Sequence, residues 1–329
     1  MKTLSQNKSS LFLTTLLLGL AACTPQNQQH TNNLKGANGV INGVPVEETD
    51  VLAKSTVYLQ TIHLDDKGNT LGGGSCTATL IAENLLVTAA HCVPGPQDKN
   101  HRMVVAFKRD LEAATQADLR LVKNFVAHPS YNSAIEDQAP LAGDSSSQGT
   151  EEGASSGEDT PSDNAFDIAF VSFVGTIPKG YAPAKILMDT LKLTANAEVT
   201  VSGYGLTKWE GDLQESSTIL RKGPAIFLGF ANPYEAVLDQ SQNKTGGGAC
   251  KGDSGGPASI VVNGEEYVWG VTSRGGNPDD ETKPCNGLVI YTNIASHEQF
   301  MKVSTDMLLT DLNESQTPST GLPTQAAAN

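Results

Sequence analysis

"GACKGDSGGPASI", Gly248 to Ile260, is the stretch whose reading decides the fold. It sets one serine, Ser254, between an aspartate and two glycines, just ahead of a short apolar run. An isolated serine in a glycine-rich segment is usually part of a turn. It becomes a nucleophile only when the chain also supplies a base, a group that orients the base, and donors for the negative charge that develops on a substrate oxygen. The rest of the sequence therefore has to be searched for those parts.

The composition bounds the search. The chain has 329 residues, 38% hydrophobic and 5% aromatic, enough for one large β-rich domain or two modest ones. Its formal charge of −14 repels phosphate, so nucleic acid is not an expected partner.

The N-terminus reads as a targeting segment. Lys2 and Lys8 form a positive start, and "LFLTTLLLGL", Leu11 to Leu20, is an apolar run too short for a stable membrane span. It leads into "LAAC", Leu20 to Cys23, which resembles a bacterial lipobox. The resemblance implies a signal peptide over residues 1–22, cleavage before Cys23, lipidation of its thiol, and attachment to a membrane through that lipid until further processing. Thr24 rather than an aspartate follows, which fits an exported lipoprotein of the outer membrane or periplasm of a Gram-negative bacterium, with release to the outside left open. The alternative is an ordinary secretory signal cut near Ala22. Beyond Cys23 there are four cysteines, Cys76, Cys92, Cys250 and Cys285, and an even number in an exported chain suggests two disulfides. Three pairings are formally open. Joining sequence neighbours gives Cys76–Cys92 and Cys250–Cys285, each closing a short loop and each worth roughly 3 kcal/mol by chain entropy.

Residues 23–39 are polar and rich in Asn and Gln, the composition of a flexible tether or propeptide. From Val40 the texture changes to short apolar or alternating runs. "STVYLQTIHL", "MVVAF", "DIAFVSFV", "AEVTVSGYG", "PASIVV", "EYVWGVTS" and "LVIYTNI" are examples, each bounded by Gly, Asn, Asp or Pro. Such strands with turn signals predict a sandwich or barrel. A helical stretch over about Ile294 to Leu309 closes the domain, and residues 310–329 read as a disordered tail. One segment interrupts the strands. Residues 137–164 are rich in Ser, Gly and acids and read as a long solvated loop, for which cation binding is a weaker alternative.

Two further segments complete the search. "TAAHC", Thr88 to Cys92, follows an apolar strand, and "DIAFV", Asp167 to Val171, puts an acid at the head of another. With "GDSGGP", Gly252 to Pro257, they occur in the order His, Asp, Ser, and together they resemble the chymotrypsin-like (trypsin-fold) serine peptidase family. "HPSY" at His128–Tyr131, "VSGYGLT" at Val201–Thr207 and "GVTSRGG" at Gly270–Gly276 add to the resemblance, which spans residues 40–309, nearly the whole mature chain. Tyr204 stands where the family often has Trp.

The resemblance implies an all-β fold of two six-stranded antiparallel β-barrels with a C-terminal helix. It implies a serine endopeptidase, with protein or peptide substrates, an acyl-enzyme intermediate, no cofactor, and a monomer. Ser254 would be the nucleophile, His91 the base and Asp167 its orienting acid. The N–H groups of Gly252 and Ser254 would form the oxyanion hole. "VING", Val40 to Gly43, resembles the family's mature start, so a cut before Val40 would free an amine to pair with Asp253. Gly39 stands where a basic residue is common, which points to an activating protease or to trimming after Lys35 instead of self-activation. Gly248 occupies the expected base of the specificity pocket, with Ala249 beside it and Ser273, Gly275 and Val289 as walls. These neutral residues predict cleavage after small or medium uncharged residues. Arg274, where the family usually has Trp, and Lys251 at the rim favour an acidic residue unless both are solvated surface charges. The remaining histidines, His30, His63, His101, His128 and His297, read as structural or surface residues. A lone Cys92–His91 neighbour pair lacks the ligand spacing of a zinc site, so no metal is expected. A pseudoprotease, or a binding lipoprotein with the same fold and no cleavage, remains the alternative.

Overall fold

The computed structural model describes residues 40–95, 98–131, 163–210, 212–241, 248–277 and 279–316. Cys23, the signal segment, the tether and residues 137–162 of the acidic loop lie outside this set.

Fifteen strands and two α-helices organise these residues. The first barrel uses β2 (Thr56–Leu64), β3 (Thr70–Ala82), β4 (Leu85–Thr88), β5 (His101–Ala106), β6 (Leu119–Ala127) and β7 (Ala169–Phe173). It closes in the order β2-β3-β4-β7-β6-β5, because β5 returns to pair with β2. The second uses β8 (Ala197–Gly203), β11 (Arg221–Asn232), β12 (Glu235–Asp239), β13 (Pro257–Val262), β14 (Glu265–Gly276) and β15 (Leu288–Asn293). Its closing pair is β8 with β11. β1 (Val44–Pro45) adds to β11, and β9 (Leu206–Glu210) and β10 (Leu213–Ser216) form a separate hairpin. The expected fold of two six-stranded antiparallel barrels is therefore the observed one.

Sequence pattern explains the layering. β4 and β7 are buried throughout, as their continuous apolar runs require. β11 keeps a period of two, with Ala225 and Phe227 inside and Pro224 and Leu228 out. Phe107, Phe170 and Phe173 fill the first barrel; Phe227, Trp269 and Tyr291 fill the second. α1 (Val51–Ser55) leads into β2.

The closing helix, α2 (Glu298–Gln316), runs past the expected end at Leu309, so residues 310–316 are helical and not part of a disordered tail. Leu308 and Leu312, one turn apart, are both buried, and α2 lies on β6 and β7 of the first barrel. Asp311 also accepts a bond from Asn124 of β6. This apolar stripe, which crosses the boundary drawn from composition, keeps the helix going.

Candidate active site

Strand pairing brings the first two candidates together. β4 and β7 are neighbours, with Thr88 opposite Ala169. His91 lies three residues beyond Thr88 in a short 3₁₀ turn, Ala90–Cys92, and Asp167 lies two before Ala169, so both leave the barrel at the same end. The disulfide Cys76–Cys92 fastens that turn to β3. His91 Nδ1 is 2.8 Å from Asp167 Oδ2, and the His91 backbone N–H donates to Oδ1 at 3.0 Å. Asp167 is 1% exposed. Burial opposes its charge, but the His91 ring, the His91 hydrogen bonds and the Ser273 hydroxyl outweigh it and hold the carboxyl below the ordinary aspartate range.

Ser254 comes from the other barrel, in the loop that enters β13. The two segments meet through Thr77 of β3. Its N–H donates to Ser254 O at 2.8 Å, its hydroxyl donates to Gly252 O at 2.9 Å, and the Thr77 Oγ1 itself accepts from Tyr204 N–H at 3.1 Å. With those carbonyls tied back, no acceptor among the described residues takes the Gly252 or Ser254 N–H. Gly252 is required at its position. Its φ is +94°, and a Cβ there would lie 2.8 Å from Gly205 Cα. Cys250–Cys285 staples the loop to the segment before β15.

His91 and Ser254 open onto one cleft of about 310 Å³. Ala249, Thr272, Gly275 and Val289 line its neutral part. A Cβ on Gly275 would lie 2.7 Å from Val289 Cγ2, so the branched side chain fills the space directly beside that wall. Gly248, the expected base, is not on the cleft lining. It faces the Gln240 carboxamide, whose Oε1 accepts from Ala249 N–H and whose Nε2 reaches the carbonyls of Ala249 and Cys285. Ser273 lines the cleft, but its hydroxyl donates to Asp167 Oδ2 at 2.7 Å, so it is a support of the acid as well as a wall. Neither cation at the cleft stands simply in solvent. Arg274 pairs with Glu235 at 2.5 Å, and the Lys251 ammonium lies 4.5 Å above the Trp209 ring. Cys92, beside His91, has its sulfur in a disulfide and offers no thiolate.

The proposed activation residues are also placed. Val40 is 1% exposed, packed in the second barrel's core, and Ile41 N–H donates to Gly248 O at 2.8 Å. Asp253 is wholly buried and accepts from Gly205 N–H and Cys250 N–H, each at 2.8 Å. No cation pairs with it among the described residues, and burial pushes its carboxyl up to about 7.

Thr77, Gln240 and Glu235 were not legible as site residues. Each acts through a contact between distant parts of the chain, and none sits in a motif. Ser273 carried a signal, the "GVTSRGG" segment, but not its role.

A protein-family model described as Trypsin matches residues 59–303. The chain belongs to the trypsin family, the class that its two barrels and its site define. Among known proteins it is similar to chymotrypsin-like elastase family member 1 of Macaca fascicularis, 27% identical over 62% of this chain and 70% of the relative. The Felis catus protein of the same name is 28% identical, again over 62% and 70%. A trypsin of Phaedon cochleariae is 23% identical over 70% of this chain and 79% of its own length.

Proposed function

We propose that the protein is an active serine endopeptidase using His91, Asp167 and Ser254. The observation that carries this reading is the pair of Asp167 bonds to His91 at the mouth of a cleft that also holds Ser254, beside two N–H groups with no acceptor among the described residues. Ser254 Oγ attacks a peptide carbonyl while His91 takes its proton and then passes it to the leaving amine. Asp167 fixes the imidazole and stabilises its charged form. The Gly252 and Ser254 N–H groups bind the oxyanion, each such donor being worth about 2.7–4 kcal/mol of barrier. Water then releases the acyl group by the same steps in reverse roles.

Cleavage follows small or medium uncharged residues, because Val289 narrows the neutral pocket and Ala249 carries no charge into it. The pairing of Arg274 with Glu235 weakens the acidic-substrate alternative. Activation cuts Gly39–Val40. Val40 has φ +44°, a backbone conformation that β-branched residues rarely adopt. The freed amine pairs with Asp253. If Cys23 is lipidated, the same cut separates the domain from its anchor, since both disulfides lie within the domain. The protein is then an exported lipoprotein that is released on activation.

Fluorophosphonate labelling of the processed protein tests the enzyme reading. Labelling that disappears in Ser254→Ala supports it, and no labelling of protein starting at Val40 favours a pseudoprotease. Peptide-library cleavage tests the pocket, and strong cutting after Lys or Arg would refute it. Sequencing the N-terminus of active protein tests the release, which full activity from a chain starting at Cys23 would exclude.

A further inference from the structure

The Asp167–His91 pair is the end of a longer chain of contacts that begins on β12. Glu235 is 4% exposed there, and its two oxygens are both engaged. Asn232 Nδ2 donates to Oε2 at 2.6 Å, and Arg274 Nη2 donates to Oε1 at 2.5 Å. The other arm of the same guanidinium, Nη1, donates to Ser273 Oγ at 3.5 Å, and Ser273 Oγ donates to Asp167 Oδ2 at 2.7 Å. A hydroxyl has one proton and two lone pairs. With a cationic N–H on a lone pair, its proton is left to point at the carboxylate.

We propose that Arg274 is a positioning residue for the reaction: anchored by the buried Glu235, its guanidinium fixes the Ser273 hydroxyl as a donor to Asp167. The inference rests on the triad reading above. Arginine suits the task because its rigid fork serves two acceptors at once, whereas a lysine ammonium is a single point of charge. Glu235 explains how a cation comes to lie there without drawing Asp167 away from His91, since its own charge is already matched. The other charged group on the cleft is Lys251, which sits over Trp209.

The test uses Arg274→Lys, which keeps the partner for Glu235, made alone and with Ser273→Ala. His91 is titrated by NMR in a Ser254→Ala background, and kcat and KM are measured with Ser254 present. Loss of the Ser273 donor leaves Asp167 a stronger partner for the imidazolium. Arg274→Lys should therefore raise the His91 pKa by about half a unit and lower kcat about threefold with KM nearly unchanged. In the presence of Ser273→Ala it should change neither. The charge-neutral pair Arg274→Met with Glu235→Gln should shift His91 in the same upward direction. Wild-type titration and kcat in Arg274→Lys would overturn the proposal, as would an effect that persists without Ser273. If the parent protein cleaves nothing and takes no fluorophosphonate, the enzyme reading fails, while the titration still decides whether Arg274 acts on Asp167 and His91.

Discussion

Asp167 and Asp253 are both buried to within 1% of complete, yet their carboxyls are driven in opposite directions. Burial raises both. Asp167 has the His91 ring, a hydroxyl and a backbone N–H, and ends below the ordinary range. Among the described residues Asp253 has two backbone N–H donors, and it ends at about 7. Hydrogen bonds from neutral donors do not replace a cation when the carboxylate is cut off from water. Among the described residues one acid has an imidazole beside it, and the other has no such partner.

The sharpest way to break this comparison is to remove the charge from the satisfied acid. Asp167→Asn keeps the shape but puts an amide group where an oxygen accepts from His91. In a triad of this kind the loss is about 10⁴ in kcat. A variant within tenfold of the parent would show that Asp167 does not orient His91.

The second test compares the uncut chain with one starting at Val40. For Asp253 the folded carboxyl, at about 7, lies above the ordinary aspartate value of 3.8. The unfolded state therefore ionises first, and the uncut fold loses stability as pH climbs from about 4 to about 7, by roughly 4 kcal/mol once both states are ionised. Pairing with the Val40 amine should remove most of that loss. Urea unfolding at pH 5 and pH 8 reads the difference; equal pH dependence in the two forms would deny Asp253 its cation.

A third buried group extends the comparison to a base. His297 is 2% exposed, its Nε2 has no partner among the described residues, and it sits among His128, Phe166 and Tyr234. Burial, then repulsion from His128, lowers it to about 4 despite a bond with the Ala165 backbone. Its folded value lies below the ordinary 6.5, so the neutral ring's contribution is complete above pH 6.5 and lost as pH falls towards 4. The loss approaches roughly 3 kcal/mol. His297→Phe should flatten stability between pH 6.5 and 4, and an unchanged slope would place the acid sensitivity elsewhere.

These groups differ in how far the sequence reveals them. Ser254, His91 and Asp167 sit in compact motifs, and apolar runs pick out β2, β5, β7, β8, β13, β14 and β15. The same criterion passes over β11, where Arg221, Lys222, Gly223 and Pro224 hide a strand whose inward positions are partly small or polar. It also passes over β6, whose face is only half-buried. Thr77 touches Gly252 across 175 residues, and the Gln240 carboxamide packs directly against Gly248. Neither is legible before the barrels are brought together, because local pattern encodes which face is buried and not what it meets. Ser273 is the intermediate case: its motif marks it as a pocket wall, while its bond to Asp167 is not visible in the sequence.

A smaller expected effect isolates that residue. Ser273→Ala removes one hydrogen bond to Asp167 and leaves the His91 ring and backbone contacts in place. A hydrogen bond to a charged group is worth about 1.5–3 kcal/mol, and here the carboxylate keeps its other donors, so a loss of roughly tenfold in kcat is expected. KM should hold, because the lost contact is behind the acid and not on the substrate. The His91 pKa should rise, moving the acid limb of the kcat/KM profile to higher pH. A KM defect with unchanged kcat would instead make Ser273 chiefly a wall of the pocket. Asp167 would then owe its low pKa to His91 alone, and the contrast with Asp253 would narrow to the presence or absence of one ring.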